Sequence, residues 1–155
     1  MTIIAHRGLL NGQNSEMENR QDQIDRCINL GFDVEVDLWK IDKKFYLGHD
    51  SPKYDINLDW LIERKNSLWL HCKNLESLDH LTENPYDLNF FFHDKDPYTL
   101  TSKGVIWAYP KMPTSKNTVI VSLDAGDETI LDYYKLNKIK GICTDYPAKL
   151  REIVN

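Results

Sequence analysis

Glu35 and Asp37 stand two residues apart in a segment, Phe32 to Leu38, that alternates polar and apolar residues without a break. A strand puts residues i and i+2 on one face. Asp33, Glu35 and Asp37 therefore share a side, and Phe32, Val34, Val36 and Leu38 share the other. Two carboxylates brought that close repel unless a cation or a shared proton neutralises them. A solvated strand face and a divalent-cation site both account for the pattern, the second because hard cations take oxygen ligands. Ser67 to Lys73 is a second alternating segment, with Trp69, His71 and Lys73 on one face. If the two segments are neighbours, His71 can complete a metal shell and Lys73 can reach a phosphate oxygen or a ligand carboxylate.

His6-Arg7 and His49 add the parts of phosphoryl chemistry. One imidazole can take a proton from an attacking hydroxyl or water while another protonates the leaving oxygen. The Arg7 guanidinium offers a two-pronged donor to a phosphate, and a metal neutralises the charge that develops on the phosphoryl oxygens.

These residues must be positioned by an alternation of strands and helices. Thr2 to Ala5, Phe32 to Leu38, Phe45 to Leu47, Ser67 to Lys73, Phe90 to Phe92, Val105 to Ala108, Thr118 to Leu123 and Gly141 to Cys143 read as strands or short extended pieces. Residues 19–30, stopped by Gly31, read as a helix, as do 59–65, 75–81 and 128–136. Pro147 opens a last helix at a favourable early position. Such an order implies an α/β protein with a largely parallel sheet. His6, His71 and His93 fall at or near the ends of predicted strands, and His49 just after one. Asp124 and Asp145 follow the last two. In α/β barrels that C-terminal rim is where chemistry is carried out.

The composition fits one domain, residues 1–155. With 19 Lys+Arg against 24 Asp+Glu and a net charge of −5, the chain is a poor partner for nucleic acid or an anionic membrane. No apolar run approaches the ~18 residues of a membrane-spanning helix. The start MTIIAHRG lacks the pattern of a secretion signal. Cys27, Cys72 and Cys143 form no metal spacing and read as buried, reduced thiols. The expectation is a cytoplasmic protein.

The order AHRG, then Glu18-Asn19, then GFDVEVDLWKIDKKFYLGHD resembles the glycerophosphodiester phosphodiesterase family. His6, Arg7, Glu18, Asn19, Gly31, Glu35, Asp37, His49 and Asp50 all fall in the places of that family's composite motif. LWLHCKN resembles its third strand, Trp107 its late tryptophan, and GICTDYP, residues 141–147, its closing motif. The resemblance implies a TIM-barrel phosphodiesterase with His6 and His49 as the acid/base pair and Glu35 and Asp37 as metal ligands. It also implies Arg7 and Lys73 as phosphate contacts, with Glu18, Asn19 and Trp107 lining the substrate. In such enzymes a neighbouring hydroxyl of the substrate often attacks first, giving a cyclic phosphate. The spider-venom phospholipase D type and the phosphatidylinositol-specific phospholipase C type share the barrel.

Two departures shape the expectation. His71 stands where the family has a third acidic ligand, which lowers the negative charge for calcium or magnesium and favours an imidazole-tolerant ion such as manganese. The chain is also short for a barrel of ~250 residues. The expected fold is therefore a trimmed TIM-barrel-like barrel of about seven strands, with some outer helices reduced to loops and a homodimer covering the bare faces. The expected substrate is a small soluble phosphodiester with a glycerol-like or polyol arm. The alternative is a non-catalytic phosphate or sugar-phosphate binder on the same scaffold, and a third reading replaces the cation by Lys73 and Arg7. His93 and Asp94 are candidate rim residues, and Tyr109 alternates inward with Trp107. Asp145 is expected to order the closing loop, His80 to lie on the surface, and Trp60 and Trp69 to anchor packing.

Overall fold

A computed structural model describes residues 1–124, 132 and 138–154. In chain order its first elements are β1 (Thr2–His6), α1 (Gln21–Asn29), β2 (Asp33–Ile41), β3 (Lys44–Leu47), β4 (Tyr54–Ile56), α2 (Leu58–Glu63) and β5 (Leu68–Cys72). There follow α3 (Leu75–Glu83), β6 (Asn89–Phe91), β7 (Tyr98–Leu100), β8 (Ile106–Ala108), β9 (Thr118–Val121), β10 (Gly141–Thr144) and α4 (Pro147–Val154). The helix expected at 128–136 lies outside the described residues.

Seven strands run parallel in the order β6-β5-β2-β1-β10-β9-β8. The β3–β4 meander adds antiparallel to the far end of β2, and β7 adds antiparallel to β8. The sheet curls until its two ends meet. Ile4, Trp69, Phe91, Trp107, Val119 and Cys143, from six of the parallel strands, bury together with Val105 in one inner cluster. Phe91 on β6 and Trp107 on β8 stand 4.6 Å apart between ring centroids. Between these end strands the closure is made by the β7–β8 hairpin. Ser102 N–H donates to Phe90 O at 2.8 Å, Phe90 N–H to Ser102 Oγ at 3.0 Å, and Thr99 Oγ1 to Phe92 O at 2.9 Å.

The alternation in β2 sorts the two sides as expected. Val34, Val36 and Leu38 face outward into a cluster with Ile24 and Cys27 of α1 and Leu61 of α2, while Glu35 and Asp37 face inward beside His71. Fully burying each such aliphatic side chain stabilises the fold by about 1.5–3 kcal/mol. Helix α1 stops because Gly31, at φ +84°, turns the chain left-handed. Gly31 N–H then donates to Ile28 O and Phe32 N–H to Cys27 O, a Schellman end that delivers Phe32 directly into β2. On the far side Leu150 of α4 covers Ile120 and Ile142.

The trimmed barrel is thus the observed architecture. No helix follows β6 or β8 among the described residues; each connection is a hairpin or a loop. Two short strands escaped the sequence reading. β4 and β7 span three residues each, too few to show a period. His80 is half-buried rather than on the surface, its ring edge-on to Phe45 at 5.3 Å. No described helix is long and apolar enough to cross a membrane.

Candidate active site

The C-terminal ends of β1, β2, β5 and β10 build the site. At the end of β1 the chain turns sharply, with Arg7 at φ +53° and Gly8 at φ +74°. A Cβ on Gly8 would lie 3.1 Å from the Ile24 side chain, so this position needs glycine on both counts. Arg7 takes the left-handed conformation without that freedom, and non-glycine residues held this way cluster at functional sites. Its backbone N–H donates to Glu35 Oε2 at 3.2 Å. Its guanidinium binds Glu18 Oε2 at 3.0 Å through Nη1, and its Nη2 donates to His49 Nε2 at 3.1 Å. The buried Nε lies 3.2 Å from Asp37 Oδ2 in ion-pair rather than hydrogen-bond geometry.

Each of the two predicted acid/base histidines is oriented through Nδ1 by a buried carboxylate. His6 Nδ1 is 2.6 Å from Asp145 Oδ1, and Asp145 is only 1% exposed. His49 Nδ1 is 3.2 Å from Asp37 Oδ2. A carboxylate accepts, so Nδ1 carries the proton in the neutral ring and Nε2 is left for chemistry. Both rings line one open cavity of about 620 Å3, together with Arg7, Leu9, Glu18, Asp50 and Asp145.

Asp37 is the hub. Burial pushes its carboxyl up, but hydrogen bonds from His49 and His71 and the charges of Arg7 and Lys73 outweigh that and hold it well below the usual carboxylate range. Lys73 Nζ stands 3.4 Å away. Asn19 grips the same residue from behind: its Nδ2 donates to Asp37 Oδ2 at 2.9 Å, and its Oδ1 accepts from the Asp37 N–H at 2.9 Å. The repulsion expected between Glu35 and Asp37 is thus offset by fixed donors and cations.

One oxygen of each carboxylate is left facing His71. Its Nδ1 is 3.6 Å from Glu35 Oε1 and 3.4 Å from Asp37 Oδ1. Donor atoms from the three residues all lie within 4.8 Å of one another, a spread that one ion with bonds of about 2.0–2.6 Å spans. His71 Nε2 faces the His93 carbonyl at 2.9 Å and must carry a hydrogen, which leaves the Nδ1 lone pair aimed between two carboxylates. That arrangement calls for a proton or a cation at Nδ1, and the residues fit a divalent metal. Burial pulls the imidazole down, but hydrogen bonds to Asp37 and Glu35 and their charges outweigh it, raising His71 to about 9.

His6, Arg7, His49, Glu18, Glu35, Asp37, His71 and Lys73 therefore converge. Asn19, Lys73 and Trp107 do not line that cavity, nor do the metal candidates Glu35, Asp37 and His71. Asn19 is 0% exposed and spends its amide on Asp37. Trp107 is 4% exposed, packed in the inner cluster against Phe91 and Trp69, because the curled sheet turns this strand position into core. His93 contributes its carbonyl to His71, while its own ring stacks on Tyr109 at 4.0 Å. Asp94 and Asp124 are exposed, outside the lining of that cavity. The sequence reading undervalued Asp145, which touches His6 rather than merely ordering a loop. Its signal was its place just after the last strand, on the rim that carries His6.

No family model matches the sequence, and no curated protein matches it. Among solved structures, the chain is similar to a protein from Galdieria sulphuraria provisionally assigned as a glycerophosphodiester phosphodiesterase. The TM-score is 0.64 at 14% identity, over 99% of this chain and 97% of that one. It is similar also to the glycerophosphodiester phosphodiesterase of Agrobacterium tumefaciens, with a TM-score of 0.63 at 13% identity over 99% of both chains. The trimmed TIM-barrel-like fold expected from the sequence is the fold these proteins share.

Proposed function

We propose that this chain is a divalent-metal-assisted phosphodiesterase that hydrolyses a small, hydrophilic phosphodiester. The observation that carries the reading is the pair of imidazoles on one cavity, each fixed at Nδ1 by a buried carboxylate, with the Arg7 guanidinium on His49 lining the same cavity. Arg7 exchanges its contacts with Glu18 and His49 for two phosphate oxygens. One histidine accepts the proton of the attacking hydroxyl or water at Nε2 as the new phosphorus–oxygen bond forms. The other gives a proton to the departing alkoxide oxygen as the old bond breaks. Asp145 and Asp37 hold the rings in the tautomer this exchange needs. Lys73, beside Asp37, adds positive charge near the phosphoryl group. A metal held by Glu35, Asp37 and His71 would supply charge neutralisation at the phosphoryl oxygens.

The wall of the cavity favours a polar substrate. Gln13, Asn14, Ser15, Glu16 and Asp50 surround the mouth, and Leu9 is the one aliphatic side chain among the lining residues. Among the described residues an acyl chain finds no apolar track there, whereas polyol hydroxyls find donors and acceptors.

The test is hydrolysis of bis(p-nitrophenyl) phosphate and of glycerol phosphodiesters, with and without added Mg, Ca or Mn. His6→Ala and His49→Ala should each lower kcat by about 10²–10⁴ with unchanged circular dichroism. Tight phosphate binding without turnover on any diester would instead make the chain a binding module, and full activity in excess EDTA would remove the metal from the mechanism.

A further inference from the structure

The three converging donors say more about the ion than its charge. Glu35 Oε2 is engaged by the Arg7 N–H, and Asp37 Oδ2 by Asn19 and His49. Each carboxylate therefore turns one oxygen toward His71 Nδ1, Glu35 Oε1 and Asp37 Oδ1, and an ion there shares Asp37 Oδ1 with Lys73 Nζ at 3.4 Å. The His71 ring cannot easily turn away. Its Nε2–H is tied to the His93 carbonyl, and its plane lies 8° from that of Phe91 at 5.1 Å. The protein thus presents two single oxygens and one imidazole nitrogen.

Calcium takes six to eight oxygens, often with bidentate carboxylates, and magnesium prefers hard oxygen ligands in strict octahedra. Neither draws much from an imidazole. The local charge also helps them little, because Arg7 and Lys73 stand within 3.4 Å of Asp37 oxygens and offset the two carboxylates. What remains is coordinate bonding, which strengthens along the first transition row in nitrogen-containing sites.

We propose that the ion of this site is a borderline divalent ion of the first transition row, manganese through zinc, bound directly through His71 Nδ1 in preference to calcium or magnesium. The proposal rests on the phosphodiesterase reading only in assuming that an ion belongs there. It makes His71 the residue that selects the ion.

Isothermal titration of the metal-free protein with Mn, Co, Zn, Mg and Ca chlorides reads the preference. The transition ions should bind at least about tenfold more tightly than Mg or Ca. Pulsed electron paramagnetic resonance of the Mn-loaded protein should show coupling to a directly bound ¹⁴N. His71→Glu should abolish that coupling and narrow the Mn-to-Mg affinity ratio toward that of an all-oxygen site. The resonance measurement on the unaltered chain stands even if that variant fails to fold. Binding of Mg or Ca as tight as Mn and Zn, with no nitrogen coupling, overturns the proposal and leaves the metal-assisted phosphodiesterase intact. Failure of every ion to bind overturns both.

Discussion

Removing the Asn19 side chain separates structural support from chemistry at this site. Asn19→Ala strands one buried group, the Asp37 N–H, which loses its acceptor, and takes one donor from Asp37 Oδ2, which keeps His49 and Arg7. Leaving a buried polar group unsatisfied costs about 1–3 kcal/mol, and losing a hydrogen bond to a charged group about 1.5–3 kcal/mol. The backbone adds a third term. Asn19 sits at φ +60°, where alanine pays roughly 1–2 kcal/mol that glycine does not. The sum is about 3.5–8 kcal/mol, a large share of the ~5–15 kcal/mol that holds a typical domain together. For a chain of 155 residues, a loss of that size lowers Tm by on the order of 10 °C. The assay is urea denaturation with Tm by circular dichroism, run in EDTA so that no ion compensates. Asn19→Gly should recover about 1 kcal/mol relative to Asn19→Ala, because it relieves the backbone but not the hydrogen bonds. An Asn19→Ala protein that melts within about 2 °C of the unaltered chain would refute the clamp. Glycine no more stable than alanine would refute the backbone term.

Asp145→Asn keeps the shape of the His6 partner but removes its charge and its fixed acceptor role. It should lower kcat by roughly 10²–10³ with little change in KM, measured by steady-state kinetics. Asp37→Ala should destabilise the metal-free protein, since it strands Arg7, Lys73 and the Asn19 amide together; a higher Tm would show that carboxylate repulsion dominates after all. The pH dependence of metal-free stability has two edges. His71, raised from 6.5 to about 9, contributes at most about 3 kcal/mol, fully present below pH 6.5 and lost as pH rises through about 9. Asp37, held low, contributes above the ordinary carboxylate range and loses its share as pH falls below it. Chemical denaturation across pH reads both edges, and His71→Gln should flatten the alkaline one. Trp107→Phe should lower Tm through lost packing while leaving KM within about threefold, because the ring lies in the inner cluster; a large rise in KM would put it back against the substrate.

The first 50 residues carried most of the chemistry because that chemistry is local in its spacing. His6-Arg7, Glu35-x-Asp37 and His49 are set by strand period and strand ends, and a period of two fixes which side chains share a face whatever the sheet does next. The alternation of Val34, Val36 and Leu38 against Glu35 and Asp37 likewise fixed the two sides of β2 in advance. The seven-strand parallel frame was legible from the order of apolar runs. Long-range closure was not. That Asp145 would meet His6 across 139 positions depends on β10 pairing with β1, which no spacing in the chain announces. That Trp107 would be core depends on how far the sheet curls, a sum of twists and short loops over all its strands. Asn19 shows the limit most plainly: its neighbours in sequence place it at the mouth, yet one left-handed turn aims its amide inward at Asp37. Residue type and period set what each side chain can do; only the closed geometry set which partner it does it with, because the pairing energy lies in contacts between segments far apart along the chain.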